Sequence, residues 1–198
     1  MTKMLTPEQK TKIRRAIFEK ADAFGYASCS RNNSGRFMDE LVEDPEVGGI
    51  LNQYMTKERI RTYIKDSVLN AYTKELTKKV LDTTSPTDTI QQVYNVQSDI
   101  IQKCSGKDAF VSVSRSNDGC IFVVSSGTVL KWETALRKSL ELIARQPGLT
   151  VNNKTPSICL RLAANQDLTD GDKKHITDAL AAIGVQACFV MGNYCYWK

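Results

Sequence analysis

One histidine, His175, stands in a chain of 198 residues, and the six cysteines never occur as CxxC. Zinc clips need paired thiols or nearby imidazoles, so no metal site of that kind is expected. A Ser-His-Asp or Cys-His system rests on His175 alone, and HEXXH or HNH chemistry is excluded. Long apolar runs are missing too: no window approaches the roughly 18 consecutive apolar residues of a spanning helix. The opening MTKMLTPEQKTKIRR is polar and basic and lacks the apolar centre of a signal peptide, which points to a cytoplasmic protein with no membrane partner. Neither sign of charge dominates, since 27 Lys and Arg against 22 Asp and Glu leave +5, too mixed a balance for a nucleic-acid coat. What remains, 41% hydrophobic and 25% charged, is the composition of a soluble globular protein with room for one ordinary domain or two small ones.

The cysteines Cys29, Cys104, Cys120, Cys159, Cys188 and Cys195 are scattered singly. Four of them lie in the strand-like runs GCIFVV, SICLRL, ACFV and YCYW, where a thiol acts as a small hydrophobe. Structural thiols are therefore expected.

Thr6-Pro7-Glu8-Gln9 is a complete helix start: a hydroxyl cap, a proline whose missing N–H costs nothing, and Gln to close the box. The helix is expected to reach Phe24, with Gly25 as its left-handed stop and Ile13, Ile17, Ala21 and Phe24 as its apolar stripe. YASCSRNNSG reads as loop. Helices are expected over 36–43 and from Asp44-Pro45-Glu46 to Met55, the second weakened by Gly48-Gly49. Thr56 caps the longest predicted helix, 57–81, in which Ile60, Ile64, Val68, Tyr72 and Leu76 recur at i+4. Ser85-Pro86-Thr87-Asp88 opens another, expected to run to Cys104 and end at Gly106.

After residue 107 the period changes. DAFVSVSR and CIFVVSSG are β-rich runs joined through Asp118-Gly119, a strong hairpin signal. A helix over 128–145, a buried strand over 157–163, a helix capped at Thr169 and stopped at Gly184, and a strand over 185–191 follow. The expected fold class is α+β, a helical module over 1–104 followed by a small ββαβαβ domain over 105–198 with helices packed on one face of one sheet.

Charge is concentrated locally. Residues 39–46 hold five acids and no base, whereas 57–79 hold seven bases and three acids. Lys57, Arg61 and Lys65, spaced i, i+4 and i+8, form one ridge, with Arg59, Tyr63 and Lys74 on its flanks. Such a ridge can track phosphates while Tyr63 stacks on a base; alternatively, the acidic and basic segments neutralise each other between adjacent helices. Ser125-Ser126-Gly127 reads as a small loop before a helix, whose N–H groups can hold an anion or simply make a turn. His175, beside two lysines, reads as an exposed surface residue.

A second comparison is with the nuclease core in which a strand Asp and then Glu-x-Lys on the next strand hold a divalent metal at a phosphate. A helix leading into a hairpin, then helix and strand, is compatible with that order. Asp108 stands as the first carboxylate, but the second strand, Ile121 to Ser126, has neither acid nor lysine. Asp99, Lys131 and Glu133 would have to complete a migrated Mg site; the plain alternative for Glu133 is an ion pair with Arg137 at i+4.

The order hairpin, amphipathic helix, strand, then Ala164-Asn165-Gln166-Asp167-Leu168 before a helix with Asp178-Ala179-Leu180 and a close at Gly184-Val185, resembles the soluble domain of the ExbD/TolR family over residues 108–191. The resemblance implies a non-enzymatic interaction domain that dimerises and uses a sheet edge or groove for a partner. Members of that family carry an N-terminal transmembrane helix with a proton-linked carboxylate, where this chain has a polar helical module, so energy transduction does not carry over. The expected function is a non-enzymatic cytoplasmic binding protein: a basic helical surface for DNA or RNA, an α/β domain for homodimerisation or docking, and no cofactor. A diverged metal-dependent nuclease and a purely protein-binding adaptor are the alternatives.

Overall fold

The start signal at Thr6 is realised in full: its hydroxyl accepts from Gln9 N at 3.2 Å while the Gln9 side chain accepts from Thr6 N at 2.9 Å. The computed structural model of the chain describes residues 4–105, 110–151, 153–164 and 168–192. They fall into two units that part between Lys78 and Lys79, earlier than the expected junction at 104/105.

The first unit is helical. Helix α1 (Pro7–Phe24) ends at Gly25, whose φ of 69° is the left-handed stop. The expected loop at 26–35 is instead a short turn, Tyr26–Ser28, followed by α2 (Arg31–Glu43). Ser30 supplies the reason, since its hydroxyl accepts from Asn33 N at 3.3 Å and so caps a helix that buries Phe37, Met38, Leu41 and Val42. Helix α3 (Gly48–Leu51) is shorter than expected. It begins at a close approach: a Cβ on Gly48 would lie 1.7 Å from the Val42 carbonyl oxygen, so only glycine fits.

The long helix is three segments, α4 (Lys57–Tyr63), a π-helical stretch Ile64–Leu69, and α5 (Asn70–Leu81). The i+4 spacing of the apolar residues causes this. A repeat of 4.0 drifts around an α-helix of about 3.6 residues per turn, and one wider turn brings it back. Ile60, Ile64, Val68, Tyr72 and Leu76 all remain buried, in one core with Ile13, Ile17, Leu41 and Leu51. Each such side chain contributes roughly 1.5–3 kcal/mol. Tyr72 keeps its polar end satisfied by donating to Asp22 Oδ1 at 2.6 Å.

In the second unit, α6 (Pro86–Tyr94) starts at the expected Ser85 box but stops at Asn95 in the left-handed conformation. The predicted helical continuation to Cys104 is a strand, β1 (Ser98–Lys103). It pairs antiparallel with β2 (Val111–Ser116), which pairs antiparallel with β3 (Ile121–Thr128). Parallel pairing then adds β4 (Ser157–Ala164) and β5 (Gln186–Met191), giving the order β1-β2-β3-β4-β5. Helices α7 (Trp132–Arg145) and α8 (Asp170–Ala181) make the crossovers. The class is mixed helix and sheet, with one strand more than the predicted series.

Helices cover both faces of this sheet, not one. Ala135, Ile158, Leu160, Leu162, Ile176 and Leu180 form the core under α7 and α8, which Val111, Val113, Ile121, Val123 and Leu142 extend. The alternate residues Phe122, Val124 and Cys159 meet Ile90 of α6. Period-two alternation makes both sets apolar, which is why β3 and β4 read as continuous hydrophobic runs.

Candidate nucleic-acid interface

Lys57, Arg61 and Lys65 are exposed on α4 and the π-helical stretch, and the first two are paired with acids of α2. Lys57 Nζ lies 2.7 Å from Glu43 Oε1, and Arg61 Nε lies 2.6 Å from Asp39 Oδ1. Asp44 and Glu46, beyond the end of α2, pair with Lys20, whereas Asp39 and Glu43 are on the exposed side of α2, packed next to α4, so these two bases and two acids pair across adjacent helices. All four side chains are largely exposed, and such pairs are worth about 0–1 kcal/mol each. Arg59, Lys65 and Lys74 are exposed and make no ion pair among the described residues. Arg59 precedes the buried Ile60 and Lys65 follows the buried Ile64, so they flank opposite sides of the apolar stripe. Tyr63 is half-buried against the first core, and the loss of solvent there raises its pKa.

Ser125, Ser126 and Gly127 are strand residues, which corrects the expected anion-holding loop. Ser139 donates to the buried Ser125 hydroxyl at 2.7 Å, and the Ser126 N–H is committed to Phe110 O at 2.8 Å. A Cβ on Gly127 would sit 3.3 Å from Ala135, where α7 approaches β3. His175 is exposed, as its lysine neighbours suggest.

The described residues of the Mg alternative do not converge. Asp99 is exposed near the start of β1 and registers with Arg115, which in turn registers with Ile121 at the start of β3. Lys131 and Glu133 come after the far end of β3, at the beginning of α7, and are also exposed. The length of a strand separates them from Asp99. Asp108 lies outside the described residues, as do Asn165, Gln166 and Asp167. Among the described residues, no three His, Cys, Asp or Glu side chains come together as metal ligands.

Sequence reasoning missed the most unusual side chain of the second unit. Arg161, in the middle of β4, is only 6% exposed. Its Nη2 donates to the carbonyls of Leu81 and Thr84, at and just beyond the end of α5, and its Nη1 donates to Ser126 Oγ at 3.3 Å. The buried Nε has no partner. Loss of solvent lowers the pKa of the guanidinium. The helix end carries about half a negative charge, so the arginine both satisfies its carbonyls and complements its dipole. An arginine inside SICLRLAA was the available signal.

The thiols behave as the sequence suggests where they are described. Cys159 and Cys188 are buried on the α6 face, and burial pushes Cys159 up to about 12 and raises Cys188. Cys29, Cys104 and Cys120 are partly exposed, and Cys195 lies outside the described residues. No family model, curated protein or solved structure matches the chain.

Proposed function

We propose that the protein is a non-enzymatic nucleic-acid-binding protein that tracks phosphates along α4 and the π-helical stretch. The observation that supports this most is the ridge Lys57–Arg61–Lys65. Two of its members are held in exposed pairs that a phosphate can displace at little cost, and the third makes no ion pair among the described residues. Arg59 and Lys74 add charge on the flanks, and Tyr63 is partly exposed beside them. The second unit serves dimerisation in this reading. Edge strand β5 carries no charged residue, so two copies can meet antiparallel without repulsion, whereas edge strand β1 carries Asp99, Lys103 and a bulge at Ile101. The site of action is the cytoplasm, in keeping with the absence, among the described residues, of a helix long and apolar enough to cross a membrane.

Fluorescence anisotropy with labelled DNA and RNA oligonucleotides at low salt tests the main statement. Three phosphate contacts give a duplex affinity that falls with salt at a log–log slope of about −3. The Lys57→Glu, Arg61→Glu, Lys65→Glu triple variant is expected to lose binding while keeping its helical circular dichroism. Binding that persists in this variant removes the ridge from the account, and absence of any binding leaves the protein-binding adaptor.

One observation favours a second reading. The order α6, β1, β2, β3, α7, β4, with the two helices on opposite faces, is compatible with the core of metal-dependent nucleases. It rests on the order of elements alone. Mg- or Mn-dependent cleavage that disappears in Asp108→Ala or Glu133→Ala would replace the binding function with this one.

A further inference from the structure

The buried residues along α4, the π-helical stretch and α5 are Ile60, Ile64, Val68, Leu69, Tyr72 and Leu76, among others. Ile64 shares the buried side with Val68 and Leu69, at i+4 and i+5, a spacing that suits a turn wider than that of an α-helix. The backbone follows it: the stretch Ile64–Leu69 is π-helical, and the Asn70 N–H donates to the Lys65 carbonyl five residues back. Lys65, Asp66 and Ser67, between the buried positions, are all exposed. Taking one residue out of these three would set Ile60, Ile64, Val68, Tyr72 and Leu76 at intervals of four, three, four and four. Val68 and Leu69 would then stand at i+3 and i+4 from Ile64, the neighbours that an ordinary α-helix puts on one face. The core is served equally well without the extra residue, so the wide turn finds its reason on the solvent side.

We infer that the wide turn is a positioning device for the phosphate ridge: it brings Lys65 into line with Arg61, so that three cations face one nucleic-acid backbone. This rests on the reading of Lys57, Arg61 and Lys65 as a phosphate track. In an unbroken α-helix each step of four residues overshoots a full turn by about 40°, which carries Lys65 about 80° around the axis from Lys57. The wider turn begins at Ile64 and takes back part of the second overshoot, so the ridge runs closer to parallel with the axis. Its members are held differently. Lys57 and Arg61 are steadied by Glu43 and Asp39 of α2, whereas Lys65 makes no ion pair among the described residues. The cation that no acid steadies is the one whose place the wide turn sets. Ser67 is neutral, so its removal leaves every charge of the ridge in place; removal of Asp66 would also take away a carboxylate that repels phosphate.

Deletion of Ser67 from the full chain tests this, with anisotropy of a fluorescein-labelled DNA duplex of about 20 base pairs and of a single-stranded RNA of the same length. The variant is expected to keep its helical circular dichroism and to unfold at the same urea concentration or a higher one. Its affinity for the duplex at roughly 0.1 M salt is expected to fall about five- to tenfold, and the log–log salt slope to change from about −3 to about −2, one phosphate contact fewer. Lys65→Gln in the unaltered chain is expected to give the same loss, and in the Ser67 deletion no further one, because the contact is already gone. Equal affinity and slope with and without Ser67 refute the positioning role while leaving the phosphate track standing. A second, additive loss on Lys65→Gln in the deletion refutes it as well. Unfolding of the deletion overturns the statement that the core does not need the extra residue. If the unaltered chain binds neither oligonucleotide, the phosphate track itself is wrong and the role of the turn falls with it.

Discussion

The two units solve the problem of polar groups in opposite ways. In the first, ion pairs lie at or near the surface, as with Arg14 and Glu75, Lys20 and Asp44, Lys57 and Glu43, and Arg61 and Asp39, while the core from Ile13 to Leu76 is apolar but for the Tyr72 hydroxyl. In the second, polarity is taken inside: a guanidinium on β4, a Ser125–Ser139 hydroxyl pair, and two buried thiols. A surface pair can be exchanged for a ligand at small cost, whereas a buried group is fixed by the partners it would orphan. The difference separates the places where binding is cheap to evolve from those where a substitution breaks the fold.

Substitutions should fall on the two sides of that division in a definite order. Arg161→Ala orphans the Leu81 and Thr84 carbonyls and is expected to cost about 3–4 kcal/mol in urea unfolding, with faster hydrogen exchange in residues 79–192 than in the first unit. A cost below about 1 kcal/mol would show that water replaces the guanidinium and that this buried charge is dispensable. Gly48→Ala drives a methyl into the Val42 carbonyl and is expected to cost about 2–3 kcal/mol, confined to the first unit. Tyr72→Phe, which removes the hydroxyl that donates to Asp22, is expected to cost about 1.5 kcal/mol.

Base should separate the units as well. Burial holds the Cys159 pKa near 12 against 9.0 for an ordinary thiol. The folded state therefore binds this proton more tightly, and the resulting stability is complete below pH 9 and declines as pH rises from 9 towards 12. Urea titrations should show a loss of about 1 kcal/mol between pH 9 and 10 in the chain with Cys159, and a smaller loss in Cys159→Ala measured against its own value at pH 8. At the small end, Arg61→Ala is expected to change stability by less than about 1 kcal/mol; a larger effect would move the α4 pairs from the exchangeable class into the structural one.

Legibility in the sequence follows the same line. The caps at Thr6 and Ser85, the stop at Gly25 and the hairpin at Asp118-Gly119 were readable because each is decided by residues a few positions apart. The apolar i+4 stripe was also visible, but its consequence, a π-helical turn at 64–69, requires asking how a repeat of four fits a helix of about 3.6. Residues 98–103 went wrong as helix because SDIIQK has no clear period of its own and becomes a strand by pairing with β2. The neutralisation of Lys57 and Arg61 was one of two options from charge counts, and only the packing of α2 beside α4 decides it. Arg161 was hidden by its neighbours: the carbonyls it binds lie about 80 positions away in the chain, where no local pattern reaches.

The strand order offers a last consequence. Because β1 to β5 lie side by side in the sequence in which they occur, each new strand adds to an edge already in place, and no segment must be inserted between two that have already joined. Such a sheet can grow outward as it emerges during synthesis, with every intermediate presenting a single growing edge. The closing step is then the addition of β5, which leaves the finished sheet with an uncharged strand on the rim.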